Sequence, residues 1–313
     1  MKHAAFETES EALLLVNPSA NRGRGERVAE KVRAVLTANG LSVEQISPEN
    51  VASTRKVATE AMRRDVRVVA VGGDGLIHHM VQGAAEKSVC FGIVPAGTGN
   101  DFATALGIPT APSESALTAM QSPVPVDVLR MTDSLGQVRY GATIATAGFS
   151  AAVNIRAEQL VWPRGPSRYT AATLIELVRL PRYHVDLKID GHEHEGTCLL
   201  VAVANTSLFG GGMKIAPSAS PASGSAEVVL IHDTSALTLL RVLPKTFSGN
   251  HVSHPSVQIL RGNEIELSLT PVGNSEPCEL RCDGEPVGSL PQSITVVPGG
   301  LQIAGATVAG GSS

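Results

Sequence analysis

The sequence is poor in the residues that mark several common classes of protein. Its four cysteines include no CxxC pair, so neither a disulfide framework nor a tetrahedral zinc site is expected, and reduced thiols are predicted. No stretch approaches the ~18 apolar residues that span a bilayer. The apolar run near the N-terminus is too short for a signal peptide. These absences predict a cytoplasmic protein that is soluble or peripheral to a membrane.

Positive charge is not in surplus either. Lys and Arg number 25 against 29 Asp and Glu, which gives a net charge of −4. Nucleic-acid-binding proteins usually carry a basic excess, so no nucleic-acid partner is expected. A chain of 313 residues with 43% hydrophobic residues is long enough for two domains with cores of their own.

The most informative stretch is VRVVAVGGDGLIHH, which runs from Val66 to His79. Val66–Val71 predicts a parallel strand covered on both faces, two glycines end it, and Leu76–Glu86 predicts a helix. A strand, a glycine turn and a helix N-terminus together can bind an anion. The carboxylate of Asp74 in this turn fits a bound cation such as Mg²⁺, or a proton acceptor. The alternative is an aspartate that merely caps the next helix.

Two more loops follow predicted strands. Ala12–Val16 leads into NPSANRGRG, and Val89–Pro95 leads into AGTGND, which ends at Asp101. Parallel strands end at one edge of a sheet, so these loops and the Asp74 turn are expected to converge. A nucleoside triphosphate with Mg²⁺ fits such an edge, although the first loop alone is equally compatible with a solvated surface loop. No Walker A GK[ST] is present, and no GxGxxG is completed, which disfavours a Rossmann site.

The second half of the chain is predicted to be mostly β. Two prolines in QSPVPVD indicate a linker near residue 125, and strands bounded by Gly, Asn, Pro or Ser follow, among them Tyr140–Ala147. This spacing predicts a sandwich or a barrel-like domain, interrupted by one helix at about Tyr169–Leu180. We therefore expect domains at residues 1–125 and 126–308, and a flexible tail at 309–313.

Four motifs occur in order along the chain: LLLVNPSA at 13–20, VGGDGLIHHMVQG at 71–83, GIVPAGTGNDFATALGIP at 92–109 and CDGEPVGSLPQSITVVPGGLQI at 282–303. Together they resemble the diacylglycerol kinase and sphingosine kinase family of lipid kinases, especially the soluble bacterial members of the YegS type. The resemblance implies an N-terminal parallel-sheet α/β nucleotide-binding domain, similar to that of NAD kinases, followed by a C-terminal β-sandwich that takes the lipid. It also implies Mg²⁺-dependent transfer of phosphate from ATP to a lipid hydroxyl.

The resemblance assigns roles to individual residues. Catalytic roles fall on Asp74 and on the DGE turn of the second domain, where Asp283 and Glu285 would supply the proton acceptor. Metal binding is expected at Asp74 and Asp101. The expected nucleotide contacts are Asn17, Pro18, Ser19, Ala20, Asn21, Ser47, Gly72, Gly73, Asp74, Gly75, Leu76, Ile77, His78, Gly97, Thr98, Gly99, Asn100 and Asp101.

Three positions depart from the family's usual pattern. Leu76 stands where threonine is frequent, and His79 stands where glutamate is common. Ser223 occupies the position at which bacterial relatives carry a metal-binding aspartate, so a second, structural Mg²⁺ site is predicted to be missing or weak. The expected acceptor is diacylglycerol. A sphingoid or ceramide-like lipid, and a nucleotide-binding regulator that has lost catalysis, are the alternatives.

Arginines cluster around the only tryptophan, Trp162. The stretch Arg156–Arg182 holds five arginines against two glutamates, a composition that fits the anionic headgroup layer of a membrane. Transient contact with the inner membrane face is therefore expected. The alternative is an ordinary helix with a solvated basic face and a tryptophan packed in the core. A homodimer is a further possible partner.

Overall fold

The computed structural model describes residues 11–17, 24–48, 51–61, 66–162 and 166–308. The chain forms two compact units. The first extends to Asp127 and resumes at Pro298, and the second is Val128–Val297. The linker predicted near residue 125 is absent, because the chain continues through this point as the strand Pro123–Asp133. Proline is tolerated at the start of a strand, which is where Pro123 lies.

The first unit alternates strands and helices. Its elements are β1 (Glu11–Val16), α1 (Arg24–Ala38), β2 (Ser42–Ile46), α2 (Val51–Ala61), β3 (Arg67–Gly72), α3 (Asp74–Ala84), β4 (Cys90–Pro95), α4 (Asp101–Ala105) and α5 (Pro112–Thr118). The strands pair in parallel in the order β2–β1–β3–β4. Gln302 and Ile303 of the last strand extend this sheet beside β4, which explains why the C-terminal segment belongs to the first unit.

Burial explains why the strands of the first unit are almost continuously apolar. Ala12–Val16 and Val68–Val71 are buried along their whole length, as expected for strands covered on both faces. In α1, Val28, Val32 and Leu36 recur every four residues and are buried. Each such side chain contributes about 1.5–3 kcal/mol when it is removed from water. The predicted α/β fold of this half is confirmed.

The second unit is built mainly from antiparallel strands. Its elements are β5 (Pro123–Asp133, which begins in the first unit), β6 (Val138–Gly141), β7 (Ile144–Gly148), α6 (Phe149–Gln159), α7 (Pro166–Arg179), β8 (Arg182–Ile189), β9 (His192–Ala204), β10 (Ala226–His232), α8 (Ala236–Val242), β11 (Val257–Gly262), β12 (Glu264–Val272), β13 (Glu279–Cys282), β14 (Glu285–Ser289) and β15 (Gln292–Ala304, which ends in the first unit), with 3-10 turns at Leu243–Phe247 and Asn250–Ser253. The strand order is β14–β13–β7–β9–β8–β12–β15, and β10 pairs with both β9 and β11.

Both faces of the central strand β9 are buried. Val201 and Val203 join a core formed by strands alone, whereas Leu200 and Ala202 join a core that includes residues of α6, α7 and α8. Alternate side chains of a strand point to opposite faces, so the three helices cover one face of this sheet. The predicted β-sandwich-like second half is confirmed.

Several local predictions for this half were incomplete. The expected strand Tyr140–Ala147 is divided into β6 and β7, because the backbone at Ala142 and Thr143 turns its amides toward the side chain of Asp283. The expected helix corresponds to α7, but α6 and α8 were not predicted. The short strand β14 was also not predicted, since it contains a proline and a glycine.

Candidate active site

The loops that follow β3 and β4 touch through their glycines. Gly72 pairs with Pro95 at the ends of these parallel strands, and the amide of Ala96 donates to the carbonyl of Gly72 at 2.8 Å. A Cβ placed on Gly97 would lie 2.6 Å from the Cα of Gly73. Only glycine permits this approach, so the two glycine turns are packed backbone against backbone. The predicted convergence is confirmed for these two loops, whereas most of the third, NPSANRGRG, lies outside the described residues.

Asp74 lies in the first turn of α3, but its side chain forms hydrogen bonds with the loop that follows β4. The helix is preceded by Gly73 as its N-cap, and no side chain caps it. The carboxylate of Asp74 instead accepts hydrogen bonds from the amides of Asn100 at 2.8 Å and Phe102 at 3.5 Å. The carboxylate is therefore fixed at the junction of the two glycine loops, and the alternative of a simple cap on its own helix is wrong.

The loop after β4 is closed by Asn100. This residue adopts a left-handed conformation with φ of 60°, which asparagine tolerates better than most residues. Its side chain accepts from the amide of Gly97 at 2.9 Å and donates to the carbonyl of the same residue at 3.1 Å. Thr98, between them in sequence, is exposed. This compact turn holds a series of backbone amides at the end of the strand, an arrangement that can bind an anion.

Asp101 brings a second carboxylate to the same loop. A Cβ placed on Gly99 would lie 2.8 Å from an oxygen of Asp74 and 3.9 Å from an oxygen of Asp101. The side chain of Asp101 is buried. Carboxylate oxygens are the ligands that Mg²⁺ prefers, so this pair fits a magnesium ion carried by a nucleotide.

The other predicted nucleotide contacts include residues inside and outside the described part of the chain. The amide of Asn17 donates to the carbonyl of Val71 at 3.1 Å, which places Asn17 at the same sheet edge. Ser47 accepts from the side chain of Gln45 at 3.2 Å. Gly75 is exposed at the start of α3. Pro18, Ser19, Ala20 and Asn21 lie outside the described residues, so the expectation for them stays a prediction.

Three predicted contacts in α3 have buried side chains. Leu76 packs over Gly72, and Ile77 lies in the core. His78 is buried as well, and its ring lies beside that of His79. Its Nε2 atom is 3.5 Å from the side-chain Nε2 of Gln82. The side chain of Leu76 therefore contributes to packing. This explains why an apolar residue is accommodated at a position where threonine is frequent in the family.

In the second unit, the DGE sequence forms a tight hairpin turn. Asp283 and Gly284 connect β13 to β14 and have φ of 56° and 86°, while Cys282 pairs with Glu285 across the turn. A two-residue loop with positive φ at both positions is the preferred hairpin connection, and Asp-Gly is one of its favoured sequences. This dipeptide was the signal by which the unpredicted hairpin could have been found.

The Asp283 carboxylate anchors this turn to the break between β6 and β7. It accepts from the amide of Ala142 at 3.1 Å, from the amide of Thr143 at 2.8 Å and from the hydroxyl of Thr143 at 2.6 Å. Hydrogen bonds to a charged acceptor are stronger than neutral ones. Asp283 therefore fixes the position of the turn.

Arg281 holds the turn from its other side. Its guanidinium group is buried and donates to the carbonyl of Gly284 at 3.0 and 3.3 Å and to Glu279 at 2.8 Å. It also donates to Glu158 of α6. Arg281 was not predicted from the sequence, because nothing in the short segment ELRC distinguishes a buried, paired arginine from an exposed one.

Glu285 follows the turn and is half-buried. None of the described residues forms a hydrogen bond or ion pair with its side chain. The adjacent thiol of Cys282 is not a competing reactive group, because complete burial, reinforced by the Asp283 carboxylate, raises its pKa well above the usual value. All four cysteines are free, as the sequence predicted.

Ser223 does not offer a carboxylate to its loop. Its hydroxyl lies 2.8 Å from the carbonyl oxygens of Ser220 and Ser225, so it is engaged in closing the turn. The weakness of the structural metal site stays a prediction.

Comparison with known proteins matches both halves of the chain. The diacylglycerol kinase catalytic domain matches residues 11–131, and the YegS C-terminal NAD kinase beta sandwich-like domain matches residues 143–305. A diacylglycerol kinase of Mycobacterium tuberculosis is 31% identical over 293 residues, which cover 92% of this chain and 93% of that protein. A diacylglycerol kinase of Bacillus subtilis is 29% identical over 76% of this chain and 77% of its own length.

Solved structures agree on the fold. Two crystal structures of Bacillus anthracis proteins superpose with TM-scores of 0.77 and 0.69, at 20% and 18% identity, over 97% and 96% of this chain and 98% of each matched chain. The second of these is a diacylglycerol kinase. The matched catalytic domain and these relatives define the class of the protein as a kinase. The chain belongs to the diacylglycerol kinase family, and it is a lipid kinase.

Proposed function

We propose that the protein transfers the γ-phosphoryl group of ATP to the primary hydroxyl of diacylglycerol, yielding phosphatidic acid for phospholipid metabolism. The reaction would take place at the inner face of the membrane. The observation that carries the proposal is the position of Asp74, whose carboxylate is held where two glycine turns meet. The names of the relatives favour diacylglycerol as the acceptor.

The first unit would hold the triphosphate. Backbone amides of the turns after β3 and β4 would neutralise phosphate charge and keep the γ-phosphorus aligned for attack. Such positioning and electrostatic stabilisation provide most of the catalysis of phosphoryl transfer. Mg²⁺, held by Asp74 and Asp101, would screen the phosphate oxygens when bound. Asp74 would thus be a metal ligand rather than a base.

The turn of the second unit would accept the proton of the lipid hydroxyl. Of its two carboxylates, Glu285 suits this role better, because no described residue engages its side chain. The Asp283 carboxylate already accepts three hydrogen bonds, so we assign it the role of positioning Glu285. Arg281 would support the same turn through the carbonyl of Gly284.

Two other functions are the alternatives. A sphingoid or ceramide-like acceptor would use the same chemistry on a different hydroxyl. A regulator that binds nucleotide without turnover is disfavoured, because both Asp74 and the acidic residues Asp283 and Glu285 are present.

The test is phosphate transfer from labelled ATP in the presence of Mg²⁺ to diacylglycerol, ceramide, sphingosine and NAD, each offered separately. We expect label in diacylglycerol, with little in the other three. Glu285→Gln should lower this transfer ~10²- to 10⁴-fold, whereas Glu276→Gln, on an exposed loop of the same unit, is the matched control and should not. Preferential labelling of ceramide or sphingosine would replace the acceptor. ATP binding without transfer to any lipid would favour the regulator.

A further inference from the structure

The outer face of α7 is apolar. Ala172, Glu176 and Leu177 point inward and are buried. A second stripe lies on the side exposed to solvent, at the i, i+3, i+4 and i+7 spacing of one helix face: Ala171, Leu174, Ile175 and Val178. Val178 is 88% exposed and Leu174 52%. An ordinary surface helix has polar residues on this side, so the stripe indicates a face that is covered in the functional state.

The neighbouring segments also expose apolar side chains. Trp162, just before α7, is 80% exposed, so the alternative in which it packs in the core is wrong. The helix α8 contacts α7, and it exposes Leu237 and Leu240 on one side, followed by Phe247 in the next turn. We call these residues together with the α7 stripe the helical patch.

The segment that carries α8 has a positive net charge. No aspartate or glutamate occurs between residues 234 and 263. Arg241 and Lys245 are exposed there, and neither forms an ion pair with a described residue. The arginines nearer α7 are partly neutralised, since Arg156 pairs at 2.8 Å with the buried Glu176. The five arginines of the Arg156–Arg182 stretch therefore contribute less basic surface than the sequence predicted, and Arg241 and Lys245, outside that stretch, are exposed cations.

We propose that the helical patch docks on the surface of an anionic bilayer. Its apolar side chains would enter the headgroup layer, with Trp162 at the interface, while Arg241 and Lys245 contact lipid phosphates. The inference rests on the proposed function, because a two-chain lipid acceptor lies in a membrane. A dimer through this face is disfavoured. In a two-fold dimer the helical patch of one copy would contact the same patch of the other, which would bring Arg241 and Lys245 near like charges.

The test is co-sedimentation of the full chain with vesicles in the absence of ATP. The vesicles are phosphatidylcholine alone, or phosphatidylcholine mixed with phosphatidylglycerol. Arg241→Gln with Lys245→Gln should lower the partition coefficient on the mixed vesicles about 25-fold at low salt, because each cation contributes a factor of about five. This difference should shrink as salt is added. Leu174→Gln with Val178→Gln should lower it on both kinds of vesicle by on the order of tenfold or more.

The controls separate docking from folding and from catalysis. Glutamine is a good helix former, so α7 should be retained, and circular dichroism with thermal unfolding checks this. Leu135→Gln replaces an 81% exposed leucine on the β5–β6 turn and should leave vesicle binding unchanged. All variants should phosphorylate a short-chain diacylglycerol in solution at the wild-type rate.

The outcomes are distinguishable. Vesicle binding that is unchanged in both double variants overturns the docking surface, even if the protein is an active kinase. Binding that falls equally in the Leu135 variant also overturns it. A shift from dimer to monomer in the Leu174/Val178 variant, without loss of vesicle binding, would assign the patch to a second copy of the chain. A failure to phosphorylate any lipid would refute the proposed function and leave the vesicle result standing.

Discussion

Replacing Asp283 by asparagine separates a positioning role from a proton-accepting role. Asparagine tolerates the left-handed backbone that this position requires, so the hairpin itself should form. The substitution replaces one carboxylate oxygen with an NH₂ group. If the remaining oxygen keeps both donors of Thr143, the amide of Ala142 loses its acceptor and faces another donor instead.

The expected cost follows from these three hydrogen bonds. A hydrogen bond to a charged group contributes about 1.5–3 kcal/mol, and the unpaired amide adds part of its desolvation penalty. The two retained bonds become neutral and weaker. We therefore expect Asp283→Asn to lower the free energy of unfolding by roughly 2–4 kcal/mol. Glu285→Gln should leave that free energy nearly unchanged, because no described residue engages the side chain.

The assay combines stability, amide exchange and turnover. In Asp283→Asn, the amides of Ala142 and Thr143 should exchange hydrogen faster than in the wild type, and the thermal unfolding temperature should fall. Glu285→Gln should show wild-type exchange and a turnover lower by ~10²- to 10⁴-fold. Thr143→Val is the intermediate control, since it removes only the 2.6 Å hydroxyl bond. ATP affinity should be unchanged in all three variants.

The opposite pattern would refute this division of roles. If Asp283→Asn abolished turnover without altering exchange or stability, and Glu285→Gln remained active, Asp283 would be the proton acceptor. If both variants lost ATP binding, the turn would contact the nucleotide instead.

Three further predictions concern the first unit and the pH dependence of stability. Asp74→Asn keeps an oxygen for the amide of Asn100, so the fold should persist while turnover falls ~10²- to 10⁴-fold; near-normal turnover would contradict the assignment. Gly97→Ala should weaken ATP binding measured by calorimetry, because its Cβ would lie 2.6 Å from Gly73 and forcing the turns apart costs about 1–3 kcal/mol. Burial lowers the pKa of His251, so the unfolded chain takes up a proton first, and stability should fall as the pH drops below about 6.5. His251→Gln should flatten this dependence of the unfolding temperature between about pH 7 and pH 5, and an unchanged slope would assign it to other groups.

The first unit could be derived largely from sequence because its signals are local. Strand β3 is a run of valines, its end is marked by Gly72 and Gly73, and the helix that follows has an apolar face. Parallel pairing then places successive loops at one edge of the sheet. The proximity of Asp74 and Asp101 could therefore be predicted without knowing any contact between residues far apart in the chain. The apolar packing of Leu76 was the main point that the pattern left open.

The second unit depended on contacts between residues far apart in the chain. Asp283 reaches amides 140 and 141 positions away, and only the pairing of β13 with β7 brings them together. The burial of Arg281 and the exposure of the apolar stripe of α7 likewise depend on residues far apart in the chain. A helix with apolar residues on two sides does not reveal which side the sheet will cover, because burial is decided by the neighbours that tertiary folding supplies. The local sequence therefore determined which segments become strands and turns, whereas the tertiary structure decided which carboxylate anchors the turn and which apolar face remains exposed.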